Sequence, residues 1–482
     1  MSTPARSSRI ATAVLSVLLT VLVGAAGLLV ARTGATSVSL VITGGIVVTM
    51  DGTHRVIWPG AVAIDGTKIV AVDSPEMIAR QYAGAQTIHA DGQVVMPGLI
   101  NTHGHAAMVM YRGLADDLAL MEWLQKYIFP AEAKTVSPEL VRIGTKLAAL
   151  EMIESGTTLF TDMYYFEEEV ARAAKSAGLR GVLGETIIGF PVADARTPAE
   201  ALARAETFIQ EFKDDPLIIP AVAPHAMYTN STADLKAAFA LSAKYGVPLL
   251  THVAETMDEV KNSQEKFKMS PVAYLESIGF WGPRTLAAHF VHVTDEDLAI
   301  IKKHGSGLSH NPESNMKLAS GAAPVTKALK AGINVGLGTD GAASNNDLDM
   351  FEAMRQAAFL HKLINNDPTA IPAQTALEMA TMGGARALGL ADRIGSIEVG
   401  KLADVIVVSM QSARQTPLYN PISHLVYVTR GDDVRTTIVN GQVLMRDGRV
   451  LTLDAKAVIA DANELAKKVR AAVAPAQSSA PR

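Results

Sequence analysis

The sequence predicts an α/β protein, a (β/α)₈ barrel with a small β-sandwich domain built from the N- and C-terminal segments. Two observations predict it. Between residues 97 and 395, short apolar strands alternate with helical stretches, and several of the strands end in His or Asp. On either side of that region the text turns strand-rich, and alternation over nearly 300 residues suits a closed barrel better than an open sheet.

Taken in chain order, Val38–Ile42, Gly45–Val48, Ala61–Ile64 and Lys68–Val72 are β-rich, and Asp65-Gly66-Thr67 reads as a hairpin turn between the last two. The matching material at the other end is Ala403–Val408, Thr437–Val439 and Gln442–Met445, with Asn440-Gly441 as a strong two-residue hairpin signal. Segments 37–96 and 396–455 are therefore expected to pair into one domain. Inside the barrel region the strands end in Asp162, Gly184, Val222, His252, His289 and Asp340, and helices over Pro198–Phe212 and Thr232–Tyr245 separate some of them. Residues 456–482 read as an amphipathic helix fading into Ala/Pro/Ser-rich, disordered text.

The first 36 residues are a different material. Arg6 and Arg9 precede an uncharged run from Ile10 to Val30, Arg32 follows, and Thr33-Gly34-Ala35 offers a small-residue cleavage site. The pattern is that of an export signal, cleaved or retained as a membrane anchor, and it implies a periplasmic or inner-membrane-anchored protein. Elsewhere the composition narrows the function. A net charge of −5 argues against nucleic-acid binding. The chain has no cysteine, so any metal must be held by nitrogen and oxygen ligands.

The chemistry-bearing residues gather at strand ends, where active sites of such barrels lie. His103-Gly104-His105 closes the first barrel strand, and positions i and i+2 of a strand face the same way. His252, His289 and Asp340 end three later strands. Each alone reads equally as a capped strand end or a hydrogen-bonded core histidine, but together they form a metal-ligand set. His225, in Pro224-His225-Ala226-Met227-Tyr228, also follows a barrel strand.

These residues, together with the His252-x-x-Glu255 pair, Ser309-His310-Asn311-Pro312, Ser314-Asn315-Met316-Lys317-Leu318 and Gly338-Thr339-Asp340-Gly341, resemble the amidohydrolase superfamily. Within it they look like the methylthioadenosine/S-adenosylhomocysteine deaminases, a branch related to triazine hydrolases. The resemblance runs from about Val41 to Gly441. It implies one divalent metal, zinc with iron(II) as the alternative, on His103, His105, His252 and Asp340. Binuclear relatives often carry a bridging lysine after the fourth strand, and Ile218–His225 contains none. A zinc ion held this way leaves a position for water and lowers its pKa to about 7. By the same resemblance Asp340 takes the water's proton, Glu255 protonates the ring nitrogen and His289 hydrogen-bonds the attacking oxygen. The alternative for Glu255 is a carboxylate at a helix start.

For substrate the resemblance points to Glu132, in Phe129-Pro130-Ala131-Glu132, on ribose hydroxyls. It places Trp123 against the nucleoside and His225 on the base, with Glu255 and Asp340 also touching substrate. The slot that carries a carboxylate-binding arginine in some members holds Glu185, which predicts repulsion of a carboxylate substrate; Arg196 lies farther along that loop. The expected function is hydrolytic deamination of an adenine nucleoside or similar amino-heterocycle. The alternatives are removal of chloride or alkylamine from a triazine-type ring, and a membrane-tethered, non-catalytic binding protein on the same scaffold. A small heterocycle is the expected partner, and homo-oligomerisation is left open.

Overall fold

The computed structural model of the protein describes residues 34–477. The apolar run of the leader lies outside the described residues, and among those described no helix is long and apolar enough to cross a membrane.

Eight parallel strands form the barrel predicted from the alternation: β6 (Leu99–Asn101), β7 (Thr157–Tyr164), β8 (Arg180–Ile187), β9 (Ile218–Pro224), β10 (Leu249–Val253), β11 (Thr285–His289), β12 (Gly307–His310) and β13 (Val335–Leu337), in that order around the sheet. The Thr102 N–H donates to Leu337 O at 2.9 Å and joins the last strand to the first. The helices expected over Pro198–Phe212 and Thr232–Tyr245 form with those bounds. Thr197 and Ser231 cap them by accepting from backbone N–H groups three residues on, which fills donors that a helix start would otherwise leave empty.

The chain ends build a nine-stranded mixed sheet. Its N-terminal strands are β1 (Thr36–Val48), β2 (Val56–Asp65), β3 (Lys68–Asp73), β4 (Tyr82–His89) and β5 (Gln93–Pro97), and its C-terminal strands are β14 (Val405–Ser409), β15 (Val434–Val439), β16 (Gln442–Arg446) and β17 (Arg449–Val450). The two halves meet where β5 pairs antiparallel with β14. Ile42, Val62, Ile64, Ile69, Val405, Val407 and Ile438 share one core, so both ends bury their apolar faces against each other. Asn440 and Gly441 take φ of 52° and 78°, the left-handed pair that a two-residue hairpin demands. The helix Ala455–Gln477 buries a stripe of Val458, Ala462, Leu465, Val469 and Val473 at helical spacing and packs on the helices Pro138–Glu154 and Phe129–Thr135.

One buried ion pair fastens the barrel to this sheet. Arg180 opens β8 and Asp404 immediately precedes β14; their side chains are 1% and 3% exposed. The guanidinium donates to both carboxylate oxygens, at 2.8 and 3.1 Å, and to Pro216 O at 2.8 Å, while the Asn440 N–H donates to Asp404 Oδ1 at 2.7 Å. Removing one partner strands the other charge without water. Arg180→Met is therefore expected to cost about 3–5 kcal/mol, read as a lower denaturant midpoint at unchanged m-value.

Candidate active site

All nine sequence-predicted site residues line or border one cleft at the C-terminal ends of the barrel strands. The two histidines of the His-x-His pair lie just beyond β6, not within it. Asn101, the last residue of β6, fixes the turn that carries them: its Nδ2 donates to Thr339 Oγ1 at 2.7 Å and its Oδ1 accepts from Thr339 N at 3.1 Å. The Asp340 N–H donates to His103 O at 3.0 Å, so the first and last strand ends are keyed together. Gly338 permits this approach, since a Cβ there would come within 2.8 Å of His103 N. Asp340 and His289 have φ of 64° and 72°, a left-handed conformation uncommon outside glycine that turns both side chains off their strand directions.

The imidazoles and carboxylate converge. Asp340 Oδ1 lies 3.5 Å from His103 Nε2 and 3.4 Å from His105 Nε2, and His252 Nε2 is 3.4 Å from His105 Nε2. Two backbone carbonyls orient the rings: His105 Nδ1 donates to Met163 O and His252 Nδ1 to His225 O, each at 2.7 Å. That tautomer leaves each Nε2 as a bare lone pair facing the centre, the arrangement in which histidine binds a metal. His103 Nε2 is buried without a hydrogen bond, an expense the fold meets if an ion fills the centre. Sets of His103 with His252 and His289, and of His103 with His105 and Asp340, each hold their ligand atoms within 4.8 Å of one another. The donor set of nitrogen and oxygen fits a divalent ion.

Electrostatics hold two of these rings, His103 and His252, in their ligand form. Burial first, then neighbouring histidines, lower His103 to about 4 despite the Asp340 carboxylate. Burial and the same histidine cluster hold His225 at about 3. For Asp340 burial opposes ionisation, but the surrounding histidines outweigh it and hold the carboxyl well below its usual range. Glu255 behaves in the opposite way, because burial pushes its carboxyl up. It stands 3.7 Å from His289 Nε2, which in turn is 3.9 Å from Asp340 Oδ2. His289 Nδ1 is held by Asn315 Oδ1 at 2.9 Å. The helix that follows Glu255 starts at Met257 with Thr256 as its cap, so Glu255 is not the capping group.

The free space in and above the cleft, open solvent included, is about 630 Å³. Trp123, Glu132 and His225 all line it. Trp123 closes a short helix that runs through one π turn, Leu124–Ile128, into the helix Phe129–Thr135 carrying Glu132. The Glu132 carboxyl is buried, raised to about 7 by that burial, and accepts from Tyr164 OH at 2.7 Å. Sequence reasoning missed Tyr164, Tyr165, Tyr228, Met108 and Leu318, which also line the cleft. Tyr164 and Tyr228 lay within or beside segments already singled out, and strand-end position was the signal available.

Glu185 corrects an expectation. It does not face the cleft: its carboxylate accepts from Arg204 Nε at 2.8 Å and from the Glu167 N–H at 3.2 Å, on the outer face of β8. Thr186, one residue on, lines the cleft instead. Adjacent strand residues face opposite ways, so a shift of one position decides between substrate and scaffold. Arg196 is exposed on the following loop, where its N–H donates to Glu200. Among the described residues no lysine or arginine lines the cleft.

Residues 94–444 match the amidohydrolase family model. The chain is 48% identical over 437 residues, 91% of its own length and all of the relative's, to a 5-methylthioadenosine/S-adenosylhomocysteine deaminase of Syntrophobacter fumaroxidans. It is 44% identical over 436 residues, 90% of this chain and 99% of the relative, to a 5'-deoxyadenosine deaminase of Methanosarcina mazei. Among solved structures, a zinc-bound adenosine deaminase from Xanthomonas campestris superposes with a TM-score of 0.89 at 39% identity, covering 91% of this chain and 100% of that one. With the strand-end histidines, the aspartate and the barrel already in place, these matches make the chain a member of the amidohydrolase family.

Proposed function

We propose that the protein is a metal-dependent hydrolytic deaminase of adenine nucleosides that releases ammonia. The observation that carries this reading is the meeting, in one cleft, of a histidine–aspartate cluster fit for a metal with two buried carboxyl groups, Glu255 and Glu132. Relatives at 44% and 48% identity bear deaminase names. His103, His105, His252 and Asp340 would hold a divalent ion, zinc on this reading, which would supply water activation at neutral pH.

The chain's own groups do the rest. Water adds to the ring carbon that bears the amino group, and Asp340 accepts the proton that water gives up. Glu255, whose carboxyl burial pushes toward its protonated form, donates its proton to the adjacent ring nitrogen, so no negative charge accumulates on the base. His289, steadied by Asn315, hydrogen-bonds the incoming oxygen. The proton on Asp340 then passes to the departing amine, which leaves as ammonia, while the added hydroxyl returns its remaining proton to Glu255 as the ring carbonyl forms. Glu132 accepts from the sugar hydroxyls, and Trp123 and His225 enclose the nucleoside.

The test is ammonia release over a panel of adenosine, 5'-deoxyadenosine, methylthioadenosine, S-adenosylhomocysteine and triazines, with metal-loaded protein. Activity on triazines alone would replace deamination of nucleosides with the triazine-type reading. Within the panel, nucleosides with an uncharged 5' group are expected to be favoured. Among the described residues no lysine or arginine lines the cleft to receive a carboxylate, and one unmade charged hydrogen bond of about 1.5–3 kcal/mol corresponds to a kcat/KM lower by about tenfold or more for S-adenosylhomocysteine. Equal kcat/KM for both classes would show that the carboxylate finds a partner outside the cleft.

A further inference from the structure

We propose that Tyr164 is a positioning residue for sugar recognition, holding one oxygen of Glu132 so that the other is presented to the substrate's vicinal hydroxyls; this rests on the nucleoside reading above. Three observations support it. Two contacts order the hydroxyls beside Glu132: the Thr135 hydroxyl donates to Ala131 O at 2.8 Å, which leaves its oxygen to pair with Tyr111 OH at 2.8 Å. Tyr164 OH is the phenol that donates to Glu132 Oε1, at 2.7 Å. With Oε1 taken by Tyr164, the second carboxyl oxygen is the acceptor left for ligand.

The tyrosine is itself fixed from behind. Its N–H donates to Glu167 Oε1 at 2.8 Å, the Glu167 N–H donates to Glu185 Oε2 at 3.2 Å, and Arg204 Nε donates to Glu185 Oε1 at 2.8 Å. These buried polar groups are costly to place there, and the contacts they make hold the end of β7, from which Tyr164 reaches across to Glu132. Finally, both residues line the cleft, so the pair meets the substrate directly and not through a packed layer. Preorganising an acceptor by a fixed outer partner is how binding sites gain discrimination.

The measurement is the ratio of kcat/KM for adenosine to that for 2',3'-dideoxyadenosine, which differ only in the two hydroxyls Glu132 would receive. Wild type should prefer adenosine. Tyr164→Phe should lower that ratio by about tenfold, mainly through the KM for adenosine. Glu132→Gln should remove most of the preference, and adding Tyr164→Phe to it should change the ratio by less than about twofold. Glu132→Asp keeps the charge but withdraws it from the phenol, and should lower the ratio as Tyr164→Phe does; it serves equally if Tyr164→Phe does not fold. If Tyr164→Phe slows both nucleosides equally, or if Glu132→Asp keeps the wild-type ratio, Tyr164 has no positioning role. A wild-type enzyme with no preference between the two nucleosides would instead overturn the sugar-binding reading of Glu132, and the proposal with it.

Discussion

Replacing Glu255 with glutamine is expected to leave metal content unchanged and to lower kcat by about 10²-fold or more, the usual size of a general acid–base contribution. The amide preserves shape and burial but has no proton to lend to a ring nitrogen. Geometry favours this role: the carboxyl reaches to 3.7 Å from His289 and lines the cleft, and the adjoining helix is capped by Thr256. Behind it, Glu259 accepts from both the Ala254 and Glu255 N–H groups, at 2.9 and 3.0 Å, and so holds the turn that aims Glu255. Parallel metal analysis and steady-state kinetics decide the matter. Near-normal turnover in the variant would make Glu255 a structural carboxylate.

The barrel was legible because its strands are short apolar runs separated by well-capped helices, and a sequence states both features directly. The His and Asp residues at strand ends were legible for a related reason: little else places five such side chains at the ends of four strands. What the sequence could not convey was direction within a fully buried strand. Every residue of β8 is buried, so no polar alternation reveals which side faces the cleft, and Glu185 was put on the wrong one. Nor could it show the left-handed backbone at His289 and Asp340, which a non-glycine residue does not advertise. Tyr164 escaped notice because its importance lies in a partner, Glu132, that is 32 positions away along the chain.

Removing any one of the proposed ligands should abolish metal retention and activity together. His103→Ala and Asp340→Ala are the sharpest cases, because these two residues join the ends of the barrel. His103 Nε2 has no hydrogen bond within the fold, and Asp340 Oδ1 is within 3.5 Å of both His103 and His105. Loss of activity should exceed the roughly 10–100-fold typical of substitutions in the shell outside the ligands. Without the ion, Asp340 and the bare imidazole lone pairs would face one another in a buried centre, so stripping wild-type protein with chelator should also lower its thermal stability and re-addition of metal restore it. About one equivalent of divalent metal per chain is expected after dialysis, since the turn after β9 offers His225 where a bridging lysine would stand. Two retained equivalents would overturn the mononuclear reading. A His103→Ala or Asp340→Ala protein that keeps both metal and turnover would overturn the ligand assignment.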